Sequence, residues 1–368
     1  MRDPYYQFLC ACLSLDREAA LTSVRDPNWN WEQLFQRANE EAVLPALDRN
    51  IRELGPGAFI PSEISDFMSA VESLNRERNT AILDELKTAV ILLNEAGIQP
   101  ILLKGAAYVA TRVYINAGDR YLGDLDLLVP ESQLGTAVEV LMLHGFAPDP
   151  SDRFGAFRHH HPPLSRPGAI SIELHHSLGL GACALLLPAA EVIENSLVYD
   201  LEGITVRVPC PQHLLTHLIM HSQMHHSYSE RIWPPLRAMY DFARLQSRFG
   251  AALRWPAIEQ RFREAGLYDV LALHVLQVCD SVRTDAPITL RLTPFTRLRR
   301  FRREALRIFP PLRYLDPMYM FSIVCTRRLR VLRVVLSSSG GRKYLIRQML
   351  ELSLYQRIFI DVLEGRGR

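Results

Sequence analysis

The chain has no CxxC pair. Its six cysteines, Cys10, Cys12, Cys183, Cys210, Cys279 and Cys325, are scattered without the spacing of a zinc knuckle or a disulfide-stapled secreted module, so a reducing, cytoplasmic setting is expected. Charge of one sign is missing as well. Forty-two Lys and Arg against 40 Asp and Glu leave a formal +2, and the total therefore points to no nucleic-acid partner. Long apolar runs are absent too: the stretch Met318 to Cys325 falls short of the roughly 18 residues a membrane span requires. The N-terminus lacks a basic region followed by a clean apolar one, because Asp16, Arg17 and Glu18 interrupt the apolar stretch from Phe8 to Leu15. No signal peptide is indicated. Nor is there a repeat with a period of roughly 20 to 50 residues.

What is present is a globular composition, 48% hydrophobic and 22% charged over 368 residues, enough at roughly 150 residues per domain for about two domains. From Tyr5 to Leu54 apolar residues recur at three- and four-residue intervals, which predicts two or three amphipathic helices. After the turn-rich Gly55 to Pro61, a long helix runs from Ser62 to about Ala96, carrying Leu74, Ile82, Leu83, Leu86, Ala89, Leu92 and Leu93 towards one side. The texture then changes. A strand is expected at Ile98 to Leu103, a helix at Ala106 to Tyr114, a strand at Leu122 to Val129, a helix at Glu131 to His144 and a strand at Ile170 to Leu174, an α/β unit set between helical regions. Beyond Pro211 the pattern is helical again, with a break at Pro234-Pro235. The expected division is helical 1–95, an α/β core 96–205, helical 206–290 and an Arg-rich helical region 291–368.

Three short features carry chemistry. In Tyr121-Leu122-Gly123-Asp124-Leu125-Asp126-Leu127-Leu128-Val129, the period of a strand turns Asp124 and Asp126 to one face and Leu125, Leu127 and Val129 to the core. Two carboxylates that close repel unless a cation lies between them, and hard oxygens suit Mg²⁺ held partly by phosphates. About twenty residues earlier, Leu102-Leu103-Lys104-Gly105-Ala106 runs from a strand into a helix. That junction offers an ammonium and backbone N–H groups to a polyphosphate, or else holds a tight-turn glycine beside a solvated lysine. In Ile172-Glu173-Leu174-His175, Glu173 and His175 share one strand face. There Glu173 completes a three-carboxylate cluster with Asp124 and Asp126, or the two residues form the polar outer face of an edge strand.

In this order the three features resemble the DNA polymerase β-like nucleotidyltransferase superfamily, and more closely its large bacterial family of uncharacterised members with an hLKG helix start and an R-x-x-G-D-h-D strand. Leu102-Leu103-Lys104-Gly105 and Arg120 to Asp126 stand at those places, and Glu173-Leu174-His175 stands at a later Asp/Glu-Leu-His strand. Ala96-Gly97-Ile98 and a downstream helix with His221, His225 and Asp241 extend the resemblance to about residues 5 to 250. The resemblance implies an α+β fold, a small mixed polymerase β-like sheet flanked by helical regions. It also implies attack of an acceptor hydroxyl on ATP or another nucleoside triphosphate, with release of pyrophosphate. Asp124, Asp126 and Glu173 would hold two Mg²⁺ ions, or Mn²⁺, with Glu173 alternatively the base. Lys104, Gly105, Ala106, Arg120 and Gly123 would meet the nucleotide phosphates, and His175, His221, His225 and Asp241 would line the cleft. The acceptor is open among small molecule, peptide, protein and RNA end, a modified peptide being the nearest guess. One departure stands out: the superfamily turn is Gly-Ser, and here it is Lys104-Gly105-Ala106. Either Lys104 takes over the phosphate contact as a point charge, or the chemistry has shifted or been lost. A phosphotransferase using the same carboxylates on the γ-phosphate, and a nucleotide-sensing or antitoxin-like binding protein, remain as alternatives.

Two further patterns complete the inventory. His213, His217, His221 and His225 recur every four residues and His159 to His161 cluster earlier, but with no HExxH and no cysteine at ligand spacing they are read as packed or cleft-lining groups. Between Arg291 and Arg347 about fifteen basic residues face two acidic ones. The blocks Arg297 to Arg303 and Arg327 to Arg333 read as a solvated charged face, or as a contact for anionic lipid or polyanion at a membrane periphery, and Ser337 to Gly341 as a flexible break.

Overall fold

The computed structural model of the chain describes residues 3–14, 18, 21, 29–54, 60–148, 159–225, 231–316 and 319. Its first helices start where capping side chains allow. Asp3 accepts the Tyr6 N–H at 3.0 Å ahead of Pro4–Cys12, and Asn30 accepts the Gln33 N–H at 3.1 Å ahead of Trp31–Glu40. Leu44–Glu53 follows, then the long helix Ser62–Glu95. The C-terminal half of that helix buries Ile82, Leu83, Leu86, Ala89, Val90 and Leu93. Towards its middle it also buries Glu72, Asn75 and Asn79, because this stripe grips a loop. Leu74, expected on the buried side, is 65% exposed: the inward face passes through 72, 75 and 79, and at 3.6 residues per turn position 74 falls outside it.

The seven strands are ordered β3-β4-β5-β2-β1-β7-β6. They are β1 Ile101–Leu102, β2 Leu125–Leu128, β3 Ala147–Pro148, β4 Leu164–Ser165, β5 Ile172–His175, β6 Leu197–Leu201 and β7 Ile204–Val208. β2 lies at the centre, antiparallel to β1 and parallel to β5. Leu102, Leu125, Leu127, Leu128, Ile172 and Leu174 are fully buried, each contributing about 1.5–3 kcal/mol by leaving water. The sequence pattern overstated the first two strands, and the helix after β1 begins at Lys104 and ends at Ala110. Leu122 to Asp124 stay outside β2 because the loop is held from the side: Arg78 donates to the Leu122 carbonyl at 2.7 Å. The hairpin β6–β7 was not expected. Its turn is Glu202-Gly203, with φ of 52° and 86°, the two left-handed residues that a two-residue hairpin demands.

Helices Pro211–Met220, Leu236–Phe249, Trp255–Glu264, Tyr268–Val282 and Pro294–Ile308 follow, with a π-helical turn at His221–His225. The chain divides into the units Met1–Arg307 and Ile308–Arg368. The α/β stretch and both helical stretches read from the sequence lie in the first unit, and of the second the structure describes a 3₁₀ helix at Pro310–Leu315. The first Arg-rich block does not form a uniformly charged face. Arg299 and Arg303 are buried while Leu298 and Phe301 are 53% and 71% exposed, because Asp280 draws Arg303 inward at 3.3 Å. The second block and Ser337 to Gly341 lie outside the described residues. Among the described residues no helix is long and apolar enough to cross a membrane.

Candidate active site

The site grows from strand register. β2 and β5 run parallel with Asp126 opposite Glu173 and Leu128 opposite His175, so the period of two brings Asp126, Glu173 and His175 to one face. On the other side of β2, the Leu103 N–H donates to the Asp126 carbonyl at 2.9 Å. That bond pins the end of β1, and the next residue, Lys104, is delivered above the Asp126 side chain. Its Nζ donates to Asp126 Oδ1 at 2.6 Å. His175 Nε2 lies 2.8 Å from the same oxygen and 3.5 Å from Glu173 Oε2, so with two carboxylates facing it this nitrogen carries the proton.

Electrostatics follow from the geometry. Burial opposes the charge on Asp126, yet the Lys104 ammonium and His175 outweigh it and hold this carboxyl well below the usual carboxylate range. Burial likewise opposes the charge on Glu173, and the His175 hydrogen bond overrides it, so its carboxyl is also lowered. His175 is pushed up: burial acts against its charge, but the bonds to Asp126 and Glu173 prevail. Asp124 goes the other way. Burial and the like charge of Asp126 raise it, against the pull of Lys104 and Arg237.

Other expected site residues lie further back. Arg120 is buried and pairs with Asp241 through Nε–Oδ1 at 2.9 Å and Nη2–Oδ2 at 3.1 Å, and Nη1 donates to the Tyr121 carbonyl at 3.3 Å. Its head group, expected at the phosphates, is thus engaged inside the protein. Tyr114 donates to Asp241 at 2.5 Å, and the guanidinium lies 5.2 Å from the centre of the Tyr108 ring. Gly105 serves this network. A Cβ there would overlap the Arg120 guanidinium and approach Leu122 Cδ2 to 2.6 Å, whereas the left-handed backbone at the junction belongs to Lys104, with φ of 44°. Ala106 is buried in the same helical turn, and Gly123 is exposed beside the Tyr121 ring. His221 sits in the π-helical turn with its ring 6.0 Å from that of His217, and His225 is the last residue of that turn.

One group at the site, Arg237, escaped the sequence reading, and the His159 to His161 cluster, read from the sequence as packed or cleft-lining, reaches it. His160 bridges to His175 across strands, with ring centres 5.1 Å apart and His159 at 5.3 Å, because β4 returns antiparallel along β5 and carries the histidine cluster back. Arg237, whose charge is felt at Asp124 and Tyr108, stands one turn before Asp241 on helix Leu236–Phe249. The four-residue spacing to Asp241 was the available signal.

Asp126, Glu173 and His175 offer ligand atoms all within 4.8 Å of one another, and among the described residues they are the group that could hold a metal ion. Asp124 stands beside this trio rather than in it. The two ionised carboxylates fit a divalent cation, while His175, its Nε2 proton shared between them, holds them in place and keeps a buried Nδ1 without a hydrogen-bond partner.

The model of a family described as uncharacterised nucleotidyltransferase matches residues 27–281, a span that includes the whole cluster. Among solved structures the chain is similar to an antigenic nucleotidyltransferase-like protein from Paracoccidioides brasiliensis, at 16% identity and a TM-score of 0.32, over 55% of this chain and 98% of that one. No curated protein matches the chain.

Proposed function

We propose that this chain, which belongs to the uncharacterised nucleotidyltransferase family, moves a nucleoside monophosphate from a nucleoside triphosphate to an acceptor hydroxyl with release of pyrophosphate. The observation that carries this reading is the registered pair Asp126 and Glu173 with Lys104 on the same carboxylate. Asp126 and Glu173, joined by Asp124, are the residues that would hold Mg²⁺ or Mn²⁺. Bound there, such an ion neutralises phosphate charge and lowers the pKa of a coordinated hydroxyl.

The chain's own groups do the rest. Lys104 takes over, as a point charge, the phosphate contact that the Ser of a Gly-Ser turn makes elsewhere in the superfamily. Glu173, with its side chain 20% exposed, holds the second ion or, in place of that, takes the proton of an incoming hydroxyl. His175 fixes both carboxylates in place. Arg120, Asp241 and Tyr114 position the loop that leads into Asp124 and Asp126.

The test is calorimetric titration with ATP, GTP, CTP and UTP, with and without Mg²⁺, on wild type and on Asp124→Asn/Asp126→Asn. Binding that needs the metal and disappears in the variant is expected. A well-folded wild type that binds none of the four overturns the reading. With a nucleotide in hand, α- and γ-labelled forms separate pyrophosphate release from the γ-phosphoryl transfer that the same carboxylates would also serve.

A further inference from the structure

Lys104 holds a more unusual position than a phosphate contact requires. Its ammonium lies 2.6 Å from Asp126 Oδ1, the oxygen that also receives His175. A divalent ion using this oxygen must therefore displace a cationic donor, and His175 is held between two carboxylates while Lys104 is held by its hydrogen bond to Asp126. The lysine side chain is 20% exposed against 2% for His175, so it has somewhere to go.

Residue choice points the same way. Lysine occurs at three positions in the chain, 87, 104 and 343, among 42 basic residues. The buried pair that holds the fold, Arg120 with Asp241, uses a two-pronged guanidinium, which locks. An ammonium is a compact point charge on a flexible stem, bound through a single contact that can be exchanged. Lys104 also has a left-handed backbone, φ 44°, a conformation unfavourable for a side-chain-bearing residue. It is held there by the Leu103–Asp126 backbone bond and the ion pair.

We propose that Lys104 is the internal counter-cation of the cluster, displaced from Asp126 by the divalent metal and then taken up by a phosphate of the nucleotide, so that metal and triphosphate load together. This rests on the nucleotidyltransferase reading and adds a binding order to it. Metal alone has to compete with the ammonium, and triphosphate alone finds the ammonium occupied. Together each removes the other's obstacle, which is a positive coupling between the two ligands.

The experiment is Mn²⁺ binding followed by electron paramagnetic resonance on wild type, Lys104→Gln and Lys104→Met, with and without a non-hydrolysable ATP analogue. Removing a charged competitor whose hydrogen bond contributes about 1.5–3 kcal/mol should tighten Mn²⁺ binding without nucleotide about tenfold or more, and should reduce the analogue's enhancement of it to what direct metal–phosphate contact supplies. Variants that bind Mn²⁺ no tighter than wild type, while the analogue still tightens the wild type, overturn the role of Lys104 and leave the nucleotide reading standing. Tightening in the variants with no effect of any nucleotide on the wild type supports the displacement and overturns the nucleotide reading.

A measurement on unaltered Lys104 guards against variants that misfold. With [¹³Cε]lysine the protein shows three lysine resonances, and Lys87→Arg and Lys343→Arg identify the third as Lys104. It should move on adding Mg²⁺ and move again with the analogue. A resonance that saturating Mg²⁺ leaves in place overturns the proposal.

Discussion

Arg120 and Asp241 are 121 positions apart and meet in a buried two-pronged ion pair, 2.9 Å and 3.1 Å. The loop entering β2 is thereby tied to helix Leu236–Phe249, and the position of Asp124 depends on a residue far along the chain.

Breaking that pair strands a charge. Asp241→Asn leaves the Arg120 guanidinium buried with half its partner gone and should cost about 3–5 kcal/mol, read as a shift in the urea midpoint at unchanged slope. Arg120→Met/Asp241→Leu should recover much of it, since neither charge then remains. A double variant as unstable as the sum of the singles would contradict this account.

Gly105→Ala should destabilise by about 1–3 kcal/mol, the range for overpacking a filled interior, because the added Cβ meets a guanidinium that cannot turn away. The shift is read from chemical denaturation. If the loss persists undiminished in an Arg120→Ala background, the glycine has some other cause.

The two site aspartates should respond oppositely to neutralisation. Repulsion alone, as the sequence suggested, would make either Asn variant neutral or stabilising. Asp126 is instead held by Lys104 and His175, so Asp126→Asn should lose about 1.5–3 kcal/mol at neutral pH. Its carboxyl is lowered on folding, so that stability is present above about pH 4 and fades as pH falls towards the native pKa. Asp124 is raised by burial and by Asp126, and Asp124→Asn should leave the melting temperature unchanged or higher. Melting curves of both variants from pH 7 to pH 3 check the pair.

His274 sets a second pH signature, remote in chemistry from the carboxylates. Its Nδ1 is hydrogen-bonded by Gln223 at 2.8 Å and Ser222 at 3.1 Å, and burial lowers its pKa from 6.5 to about 3. Between those values the unfolded chain takes a proton that the native protein refuses, so stability falls with falling pH by about 1.4 kcal/mol per unit. His274→Asn keeps an acceptor for Gln223 and should flatten the pH dependence of stability between pH 6 and pH 4. Parallel curves for the two proteins would refute it.

Local pattern was enough for much of this molecule. Asp126, Glu173 and His175 could be placed on strand faces because side chains alternate with a period of two, and the long helix from Ser62 was visible from its 3.6-residue apolar recurrence. The β6–β7 hairpin was legible in principle from Glu202-Gly203 between apolar runs. Leu74 misled because a helix that changes what it packs against, from the loop at Gly118–Leu122 to the core, changes the chemistry of its buried face.

By itself, then, the sequence determined which residues line up along each strand and helix, since that depends on bond geometry and the neighbours a few positions away. Tertiary structure alone decided which strands lie side by side. That choice put Lys104 on Asp126, returned His160 to His175, and withdrew Arg120 to Asp241. Each contact depends on the packing of apolar surfaces distant in the chain, which a one-dimensional pattern of polar and apolar residues leaves open.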